Sequence, residues 1–154
     1  MSETEIKYKA NVAGILRNRR GSILIAERLG VREGWQFPQG GIDPGETPEV
    51  ALVRELWEEI GVNAGDIRLL ERKGPYRYLY GNGRVKRGFH GKEQFYFLCD
   101  YSGPDDGICV QTSHPEFQDY RWIAPAEFRL DWLPSMKREV YRAVFADFFG
   151  VKCV

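Results

Sequence analysis

The chain has 154 residues, 43% of them hydrophobic and 29% charged, which is ordinary for a globular protein and most simply one domain over residues 1–154. Its formal net charge of zero argues against coating of nucleic-acid backbones, but not against binding of a phosphorylated end. No apolar run approaches the roughly 20 residues that span a bilayer, and the N-terminus has no apolar signal region, so we expect neither membrane association nor secretion.

In chain order, KANVAGILR and SILIAER predict two strands joined by the turn NRRG. The Gly- and Pro-rich stretch GVREGWQFPQGGIDPGE predicts a structured loop. Further strands are predicted at IRLLERK, YRYLY, EQFYFLCDY and YRWI, with the glycine-rich loop GNGRVKRGFHG before EQFYFLCDY. APAEFR predicts a helical turn and SMKREVYRAVFADFF an amphipathic helix. Strands mixed with one central and one terminal helix predict an α/β sandwich with a mixed sheet.

The central helix is predicted at PEVALVRELWEEI. Thr47 suits the N-cap, Pro48 the first helical position and Gly61 a left-handed C-cap. The apolar stripe of this helix consists of Leu52, Val53, Leu56 and Ile60.

Three carboxylates, Glu55, Glu58 and Glu59, lie on one side of the predicted helix. Like charges at this spacing cost about 0.2–0.5 kcal/mol per pair, and the helix dipole disfavours anions near the C-terminal end. A solvated acidic surface is one interpretation. The other is a metal site, because carboxylate oxygens suit Mg²⁺ or Mn²⁺, and a divalent cation among them offsets their repulsion.

The flanking residues favour the metal site. From Gly40 the chain reads GGIDPGETPEVALVRELWEEIGV, which resembles the Nudix box, G-x5-E-x7-R-E-U-x-E-E-x-G-U, where U is aliphatic. Every defined position matches, namely Gly40, Glu46, Arg54, Glu55, Leu56, Glu58, Glu59, Gly61 and Val62.

The resemblance implies a Nudix fold, an α/β/α sandwich, and hydrolysis of a nucleoside diphosphate linked to another group. It implies that Glu55, Glu58 and Glu59 bind two or three Mg²⁺ or Mn²⁺ ions, together with the backbone carbonyl of Gln39. It also implies that Arg54 orients a glutamate by a charge-assisted hydrogen bond. Glu46 would support the loop.

Resemblance extends beyond the box. WQFPQGGIDPGE resembles the loop of bacterial RNA pyrophosphohydrolases and of the plant- and bacterial-type diadenosine tetraphosphate hydrolases. TSHPEFQDYRWI resembles a T-x-x-x-E-F-x-x-W/Y-R-W segment of these groups, which makes Glu116 a further metal ligand or a general base. SMKREVYRAVFADF resembles their closing helix, K-R-x-V-Y-x-x-V.

Two departures from these groups concern cations. Lys92 replaces a glutamine in GKEQFYF, and Glu27-Arg28 replaces an Arg-Arg pair. The catalytic set that we assign is Arg54, Glu58, Glu59 and Glu116. The residues that we assign to substrate binding are Lys9, Arg28, Gln36, Tyr78, Lys92 and Gln94.

Several other features keep two interpretations. The aromatic residues that could stack a base or simply pack within the fold are Trp35, Phe37, Tyr76, Tyr78 and Tyr80. RNRR at 17–20 is expected to be a solvated turn, whereas RVKR at 84–87 suits a solvated turn and an anionic ligand equally. The cysteines, Cys99, Cys109 and Cys153, lack the spacing of a metal site and indicate a cytoplasmic protein with reduced thiols, with Cys99 in the core.

Our leading hypothesis is a metal-dependent RNA 5′-pyrophosphohydrolase, which converts a 5′-triphosphorylated RNA end to a 5′-monophosphate. The alternative is the same chemistry on dinucleoside polyphosphates such as diadenosine tetraphosphate. A Nudix module that senses a nucleotide without cleaving it is a third hypothesis, although all three box glutamates are present. The sequence leaves the oligomeric state open, and a homodimer is among the states that it allows.

Overall fold

A computed structural model describes residues 5–154, and a mixed seven-stranded sheet forms its centre. The strands are β1 Tyr8–Arg17, β2 Ile23–Arg28, β3 Trp35–Gln36, β4 Gln39–Gly41, β5 Ile67–Leu79, β6 Gly91–Tyr101 and β7 Phe117–Ile123. The α-helices of these residues are α1 Pro48–Ile60 and α2 Ser135–Phe149. Short 3₁₀ turns lie at Ala64–Asp66, Gly81–Gly83, Pro125–Glu127 and Leu130–Trp132.

Strand β1 organises the sheet. The main order is β3-β2-β1-β6-β5, with β1 parallel to β6 and the other neighbours antiparallel. On its other edge β1 divides between two partners: residues 11–13 pair with β4, and Arg17 pairs with Ile23 of β2. Strand β7 pairs with β2. This division anchors the loop that carries β4 at the middle of the sheet, beside the start of α1.

The two helices cover opposite faces of the sheet. Side chains alternate along β1, so that Ala13 and Ile15 join the apolar cluster of α2, whereas Val12 and Leu16 join the cluster of α1. The buried side chains of α2 in the first cluster are Val140, Tyr141, Val144 and Phe145. Those of α1 in the second are Ala51, Leu52, Leu56 and Ile60. This arrangement confirms the predicted α/β/α sandwich with a mixed sheet.

The caps of α1 are those predicted from the sequence. The Thr47 hydroxyl accepts a hydrogen bond from the Val50 N–H at 3.2 Å, and Gly61 ends the helix with a φ of 67°. The side chain of Cys99 is buried, as expected. No helix among residues 5–154 is long and apolar enough to cross a membrane.

One strand prediction is wrong. IRLLERK and YRYLY are not separate strands but parts of β5, which continues through Gly74 and Pro75 with two register shifts against β6. The Gly-Pro pair suggests a break when only the sequence is considered. Because β6 offers a continuous partner, the irregularity is absorbed within the pairing instead. Strand β7 is also longer than YRWI and begins at Phe117.

Gly14 lets α1 approach the sheet closely. A Cβ at this position would lie 3.1 Å from Leu52 Cδ1 and 3.2 Å from Leu56 Cδ2. Both leucines are fully packed, with 1% and 0% of their surface exposed.

We therefore expect Gly14→Val to lower the free energy of unfolding by about 1–3 kcal/mol, because it overpacks the interface between α1 and β1. Urea denaturation measures the change. Gly65→Val is the matched control, since a Cβ at Gly65 meets no atom within 4 Å. Equal stability of the two variants would contradict close packing at Gly14.

Candidate active site

The three glutamates of α1 lie in three different environments. Glu59 is buried, with 8% of its surface exposed, whereas the side chain of Glu55 is 13% exposed and that of Glu58 is 54% exposed. Leu56 and Ile60 pack into the core on the neighbouring face of the helix. The packing of α1 therefore draws Glu55 and Glu59 towards the protein interior and leaves Glu58 in solvent.

Arg54 connects the preceding loop to these carboxylates. Its guanidinium donates to both oxygens of Glu46 at 2.8 Å and to the carbonyl oxygen of Gly41 at 2.9 Å. Nη1 donates to Glu55 Oε1 at 2.8 Å and to Glu58 Oε2 at 3.2 Å. The hydrogen bonds from Arg54 lower the pKa of Glu46 to about 2, so this carboxylate remains ionised. One side chain thus fixes the loop, the helix and two of the glutamates together.

Gly40 lies directly beneath the carboxyl group of Glu55. A Cβ on Gly40 would lie 1.9 Å from Glu55 Cδ, a distance that no side chain could occupy without displacing the carboxylate. Glycine at this position therefore allows the backbone of β4 to pass under Glu55 while Arg54 holds the carboxylate.

Glu59 carries the largest electrostatic cost of the site. Burial first, and then the nearby carboxylates of Glu55 and Glu116, raise its pKa to about 9, against a hydrogen bond from the backbone of Gln39. Burial also raises the pKa of Glu55, although Arg54 opposes the effect. Oε2 of Glu59 is buried and has no hydrogen-bond partner in the described chain. These two carboxyl groups therefore favour a proton or another cation between them.

The carboxylates do not already form a metal cage. Within residues 5–154, no three or more His, Cys, Asp or Glu side chains are arranged so that they could hold a metal ion as they stand. Arg54 binds Oε1 of Glu55 and Oε2 of Glu58, which leaves only the second oxygen of each carboxylate clear of the guanidinium. Glu116 reaches the same region from the segment before β7.

Two adjoining cavities meet at Glu59 and Glu116. The acidic lobe, about 730 Å³, is lined by Glu55, Trp57, Glu58, Glu59, Gly61, Cys109, Thr112, Ser113, His114 and Glu116. The cationic lobe, about 390 Å³, is lined by Arg28, Leu29, Val31, Gln36, Gln39, Glu59, Pro115, Glu116, Phe117 and Lys137. Because both lobes contain Glu59 and Glu116, they form one cleft with carboxylates at its centre and opposite charges at its two ends.

Lys137 is a residue of the cationic lobe that the sequence analysis missed. It is 9% exposed, and its Nζ donates to Gln36 Oε1 at 3.2 Å. No carboxylate of the described residues forms a salt bridge with it. Burial first, and then the nearby charges of Lys92 and Arg28, lower the pKa of Lys137 to about 7. A signal existed, since Lys137 lies four residues before Tyr141, on the buried side of α2.

Other predicted substrate residues flank this lobe. Arg28 lines it, and its buried Nε has no hydrogen-bond partner among residues 5–154. Pairing of β1 with β6 places Lys9 beside Lys92, and burial, with help from Lys9, lowers the pKa of Lys92. Gln94 is buried, and its Nε2 donates to Gln39 Oε1 at 2.6 Å.

The predicted aromatic residues lie mainly in the core. Trp35 and Phe37 are 1% and 0% exposed, and therefore offer no free face to a base. Tyr78 and Tyr80 are each 7% exposed and pack edge to face, with ring centroids 6.3 Å apart. The exposed aromatic ring of the cleft is instead Trp57, with 57% of its surface exposed in the acidic lobe.

Comparison with known proteins agrees with this architecture. The NUDIX domain model matches residues 7–147, and the chain belongs to this family. The RNA pyrophosphohydrolase of Erwinia tasmaniensis is 39% identical over 155 residues, covering 94% of this chain and 85% of that protein. The RNA pyrophosphohydrolase of Erythrobacter litoralis is 38% identical, covering 94% of this chain and 92% of that protein.

Solved structures show the same fold. A binary complex of a C. elegans Ap4A hydrolase matches with a TM-score of 0.64 at 21% identity, covering 92% of this chain and 98% of that one. The E. coli dihydroneopterin triphosphate pyrophosphohydrolase matches with a TM-score of 0.69 at 18% identity, covering 92% and 97%. At these identities the likeness establishes the Nudix fold.

The raised pKa of Glu59 predicts how stability depends on pH. The native state holds a proton on Glu59 between about pH 4.5 and 9, whereas the unfolded state has released it. The contribution of Glu59 to stability is thus greatest below this window and declines as pH rises through it, by about 1 kcal/mol per pH unit. In metal-free buffer, Glu59→Gln should flatten this decline in the free energy of unfolding measured by urea denaturation.

Glu58→Gln is the control for this experiment because Glu58 is exposed. It should keep the wild-type slope. An unchanged slope in Glu59→Gln would show that the buried carboxyl group does not control the pH dependence.

Proposed function

We propose that this chain is a metal-dependent RNA 5′-pyrophosphohydrolase, which removes pyrophosphate from 5′-triphosphorylated RNA and leaves a 5′-monophosphate. The observation that carries this proposal is the cleft in which Arg28 and Lys137, cations without a carboxylate partner in the described chain, face Glu59 and Glu116. The 38–40% identity to relatives named RNA pyrophosphohydrolase supports the same substrate.

The acidic half of the cleft fits divalent cations. Its donors are hard oxygens, and a divalent cation would give a favourable neighbour to Oε2 of Glu59, which is buried and has no hydrogen-bond partner among residues 5–154. We propose that two or three Mg²⁺ or Mn²⁺ ions are held by Glu55, Glu58, Glu59, Glu116 and the carbonyl oxygen of Gln39. When bound, such ions neutralise phosphate charge and lower the pKa of an attacking water.

The residues of the chain then have distinct tasks. Lys137, Arg28 and Lys92 bind the phosphates, with Lys9 beside Lys92, because they are cations near the cleft that form no salt bridge with any carboxylate of residues 5–154. Gln36 positions the Lys137 ammonium through its side-chain oxygen. Gln94 and Tyr78 are buried and complete the proposed set as supporting residues, since Gln94 donates to Gln39 of the cationic lobe and Tyr78 pairs with Lys92.

Proton transfer falls to the glutamates. Glu116 accepts the proton of the attacking water, since it lines both lobes and is exposed. A bond forms from the water oxygen to the phosphorus atom nearest the RNA, and the anhydride bond to the next phosphate breaks. Pyrophosphate then leaves. Arg54 keeps Glu55 and Glu58 oriented throughout.

Dinucleoside polyphosphates such as diadenosine tetraphosphate are the second candidate substrates. The observation in their favour is Trp57, an exposed indole in the acidic lobe, opposite the cations. Stacking of a base on such a ring contributes about 1–3 kcal/mol. A substrate with a nucleoside at each end could use both lobes of the cleft.

We base the proposed cellular location of the enzyme on its cysteines. Cys99, Cys109 and Cys153 are all free thiols, and we place the enzyme in the cytoplasm, where thiols stay reduced. A homodimer remains compatible with this proposal. Light scattering of the purified protein measures its mass in solution and decides between monomer and dimer.

A direct assay tests the function. With Mg²⁺, we expect faster pyrophosphate release from a 5′-triphosphorylated RNA oligomer than cleavage of diadenosine tetraphosphate at equal concentration, and no turnover in EDTA. Faster cleavage of the dinucleotide would favour the second candidate. Cleavage of neither compound would indicate a sensor or a different nucleoside diphosphate substrate.

Lys137→Met separates binding from stability. The pKa of Lys137, about 7 against 10.5 in the unfolded chain, means that its buried charge destabilises the fold fully below pH 7 and progressively less up to about pH 10.5. At pH 6 we expect the variant to be more stable by about 1–3 kcal/mol in urea denaturation. Loss of a charged phosphate contact should lower kcat/KM for triphosphorylated RNA about 10- to 100-fold.

Lys152→Met is the matched control, because Lys152 is exposed and is not among the residues that line the cleft. It should change neither quantity. If Lys137→Met kept full kcat/KM, the assignment of Lys137 to phosphate binding would be wrong.

A further inference from the structure

The loop between β5 and β6 carries cations that the proposed reaction does not use. Arg84, Lys86 and Arg87 are all exposed on it. None of the three forms a salt bridge with a carboxylate in the part of the chain that the structure describes. The arginines of the neighbouring strands behave differently, since Arg72 and Arg77 pair with Glu49 and Glu93. The loop therefore concentrates positive charge without local compensation.

Two of these cations border a small cavity of about 200 Å³. Its lining consists of Tyr80, Gly81, Asn82, Arg84, Lys86 and Met136. Lys86 Nζ lies 4.7 Å from the centroid of the Tyr80 ring, a cation–π contact. Tyr80 itself is fixed, because it is 7% exposed and its N–H donates to the His90 carbonyl oxygen at 2.9 Å. The ammonium group of Lys86 is thus held on a rigid support at the cavity.

The tip of the loop is also ordered by its own backbone. The N–H of Lys86 donates to the carbonyl oxygen of Phe89 at 2.8 Å, and the N–H of Phe89 donates back to Lys86 at 2.9 Å. This reciprocal pair of hydrogen bonds fixes the backbone of the loop beside the cavity. The positions of Arg84 and Lys86 are therefore a property of the fold.

This cavity lies near the cationic lobe. Met136 in its lining directly precedes Lys137, and Tyr78, two residues before Tyr80, pairs with Lys92 across the sheet. The charge of Lys86 contributes to the lowered pKa of both Lys92 and Lys137, so the three ammonium groups lie close enough to interact. Unpaired cations therefore extend from the phosphate-binding residues to the exposed loop.

We propose that Arg84 and Lys86 form a subsite for the phosphodiester backbone of RNA, which holds the chain beyond its 5′ polyphosphate. This inference rests on the proposed RNA pyrophosphohydrolase function and adds the basis for choosing RNA over a free nucleotide. A free nucleoside triphosphate has no phosphodiester to offer the loop, whereas an RNA chain has one for each further nucleotide.

The test compares substrates of two lengths. Pyrophosphate release is measured with a 5′-triphosphorylated dinucleotide and with a 5′-triphosphorylated decamer, over a series of KCl concentrations. The enzymes are the wild-type chain, R84A/K86A, and the charge-matched control R19A/K152A, whose cations are exposed and belong to neither lobe of the cleft nor the loop cavity.

We expect the wild-type enzyme to prefer the decamer. R84A/K86A should lower kcat/KM for the decamer about tenfold, mainly through KM, with a much smaller effect on the dinucleotide. The slope of log kcat/KM against log salt for the decamer should become shallower by about 1.4, the value for two single-strand phosphate contacts. The control should behave as wild type. An unchanged length preference and salt slope in R84A/K86A would overturn the subsite.

A binding measurement separates this inference from the proposed function. Fluorescence anisotropy of a labelled 5′-monophosphorylated decamer, in EDTA, requires no turnover. Weaker binding to R84A/K86A than to wild type and to the control supports the subsite even if no RNA is hydrolysed, in which case only the proposed function fails. Equal binding to all three proteins would overturn the subsite even if the enzyme releases pyrophosphate normally.

Discussion

The guanidinium group of Arg54 is the junction on which the active site depends. The loop before α1 and the glutamates on α1 carry like charges and would separate without a cation between them. Arg54 donates to both carboxylate oxygens of Glu46, to Glu55 and to Glu58. It also donates to the carbonyl oxygen of Gly41. Its charge is always present, and its planar fork fits several oxygens at once, which a lysine could not do. Four of the nine defined positions of the sequence motif, Arg54 and the three glutamates that it binds, therefore belong to this one junction.

Beyond this junction, two ionisable groups of the cleft are buried at a cost in free energy. Glu59 is a buried acid beside other acids, and Lys137 is a buried base near other bases. The pKa of each group shifts in the direction that favours its uncharged form, which reduces the cost of burying an uncompensated charge. A polyphosphate with divalent cations would offset both costs at once, because its negative charge suits Lys137 and its cations suit Glu59. These two buried groups thus lower the stability of the free protein, and the same two groups are the ones that suit the bound ligand.

Much of this architecture could be predicted from the sequence, and the exceptions have physical causes. The ends of α1 were predictable because Thr47 and Gly61 act locally. The continuity of β5 through Pro75 was not, since it depends on pairing with β6, which is distant in the chain. Lys137 was missed because burial of a lysine is rare, and only packing of α2 on the sheet reveals it. Trp35 and Phe37 were ambiguous because the sequence alone does not distinguish a core ring from a stacking surface.

The distribution of charge on the surface also affects which part of an RNA molecule such a protein recognises. A net charge of zero gives the protein little long-range attraction to a polyanion, which argues against binding all along the phosphate backbone of RNA. Several arginines elsewhere on the described surface are neutralised by partners, as in Arg17 with Asp100 and Arg77 with Glu93. Arg28, Lys137, Arg84 and Lys86, which form no salt bridge within residues 5–154, lie at one cleft and the loop beside it. A triphosphorylated end is the part of an RNA chain where phosphate is densest. Positive charge that is local, on a chain with no net charge, thus favours recognition of an RNA end and the nucleotides next to it over binding along the whole strand.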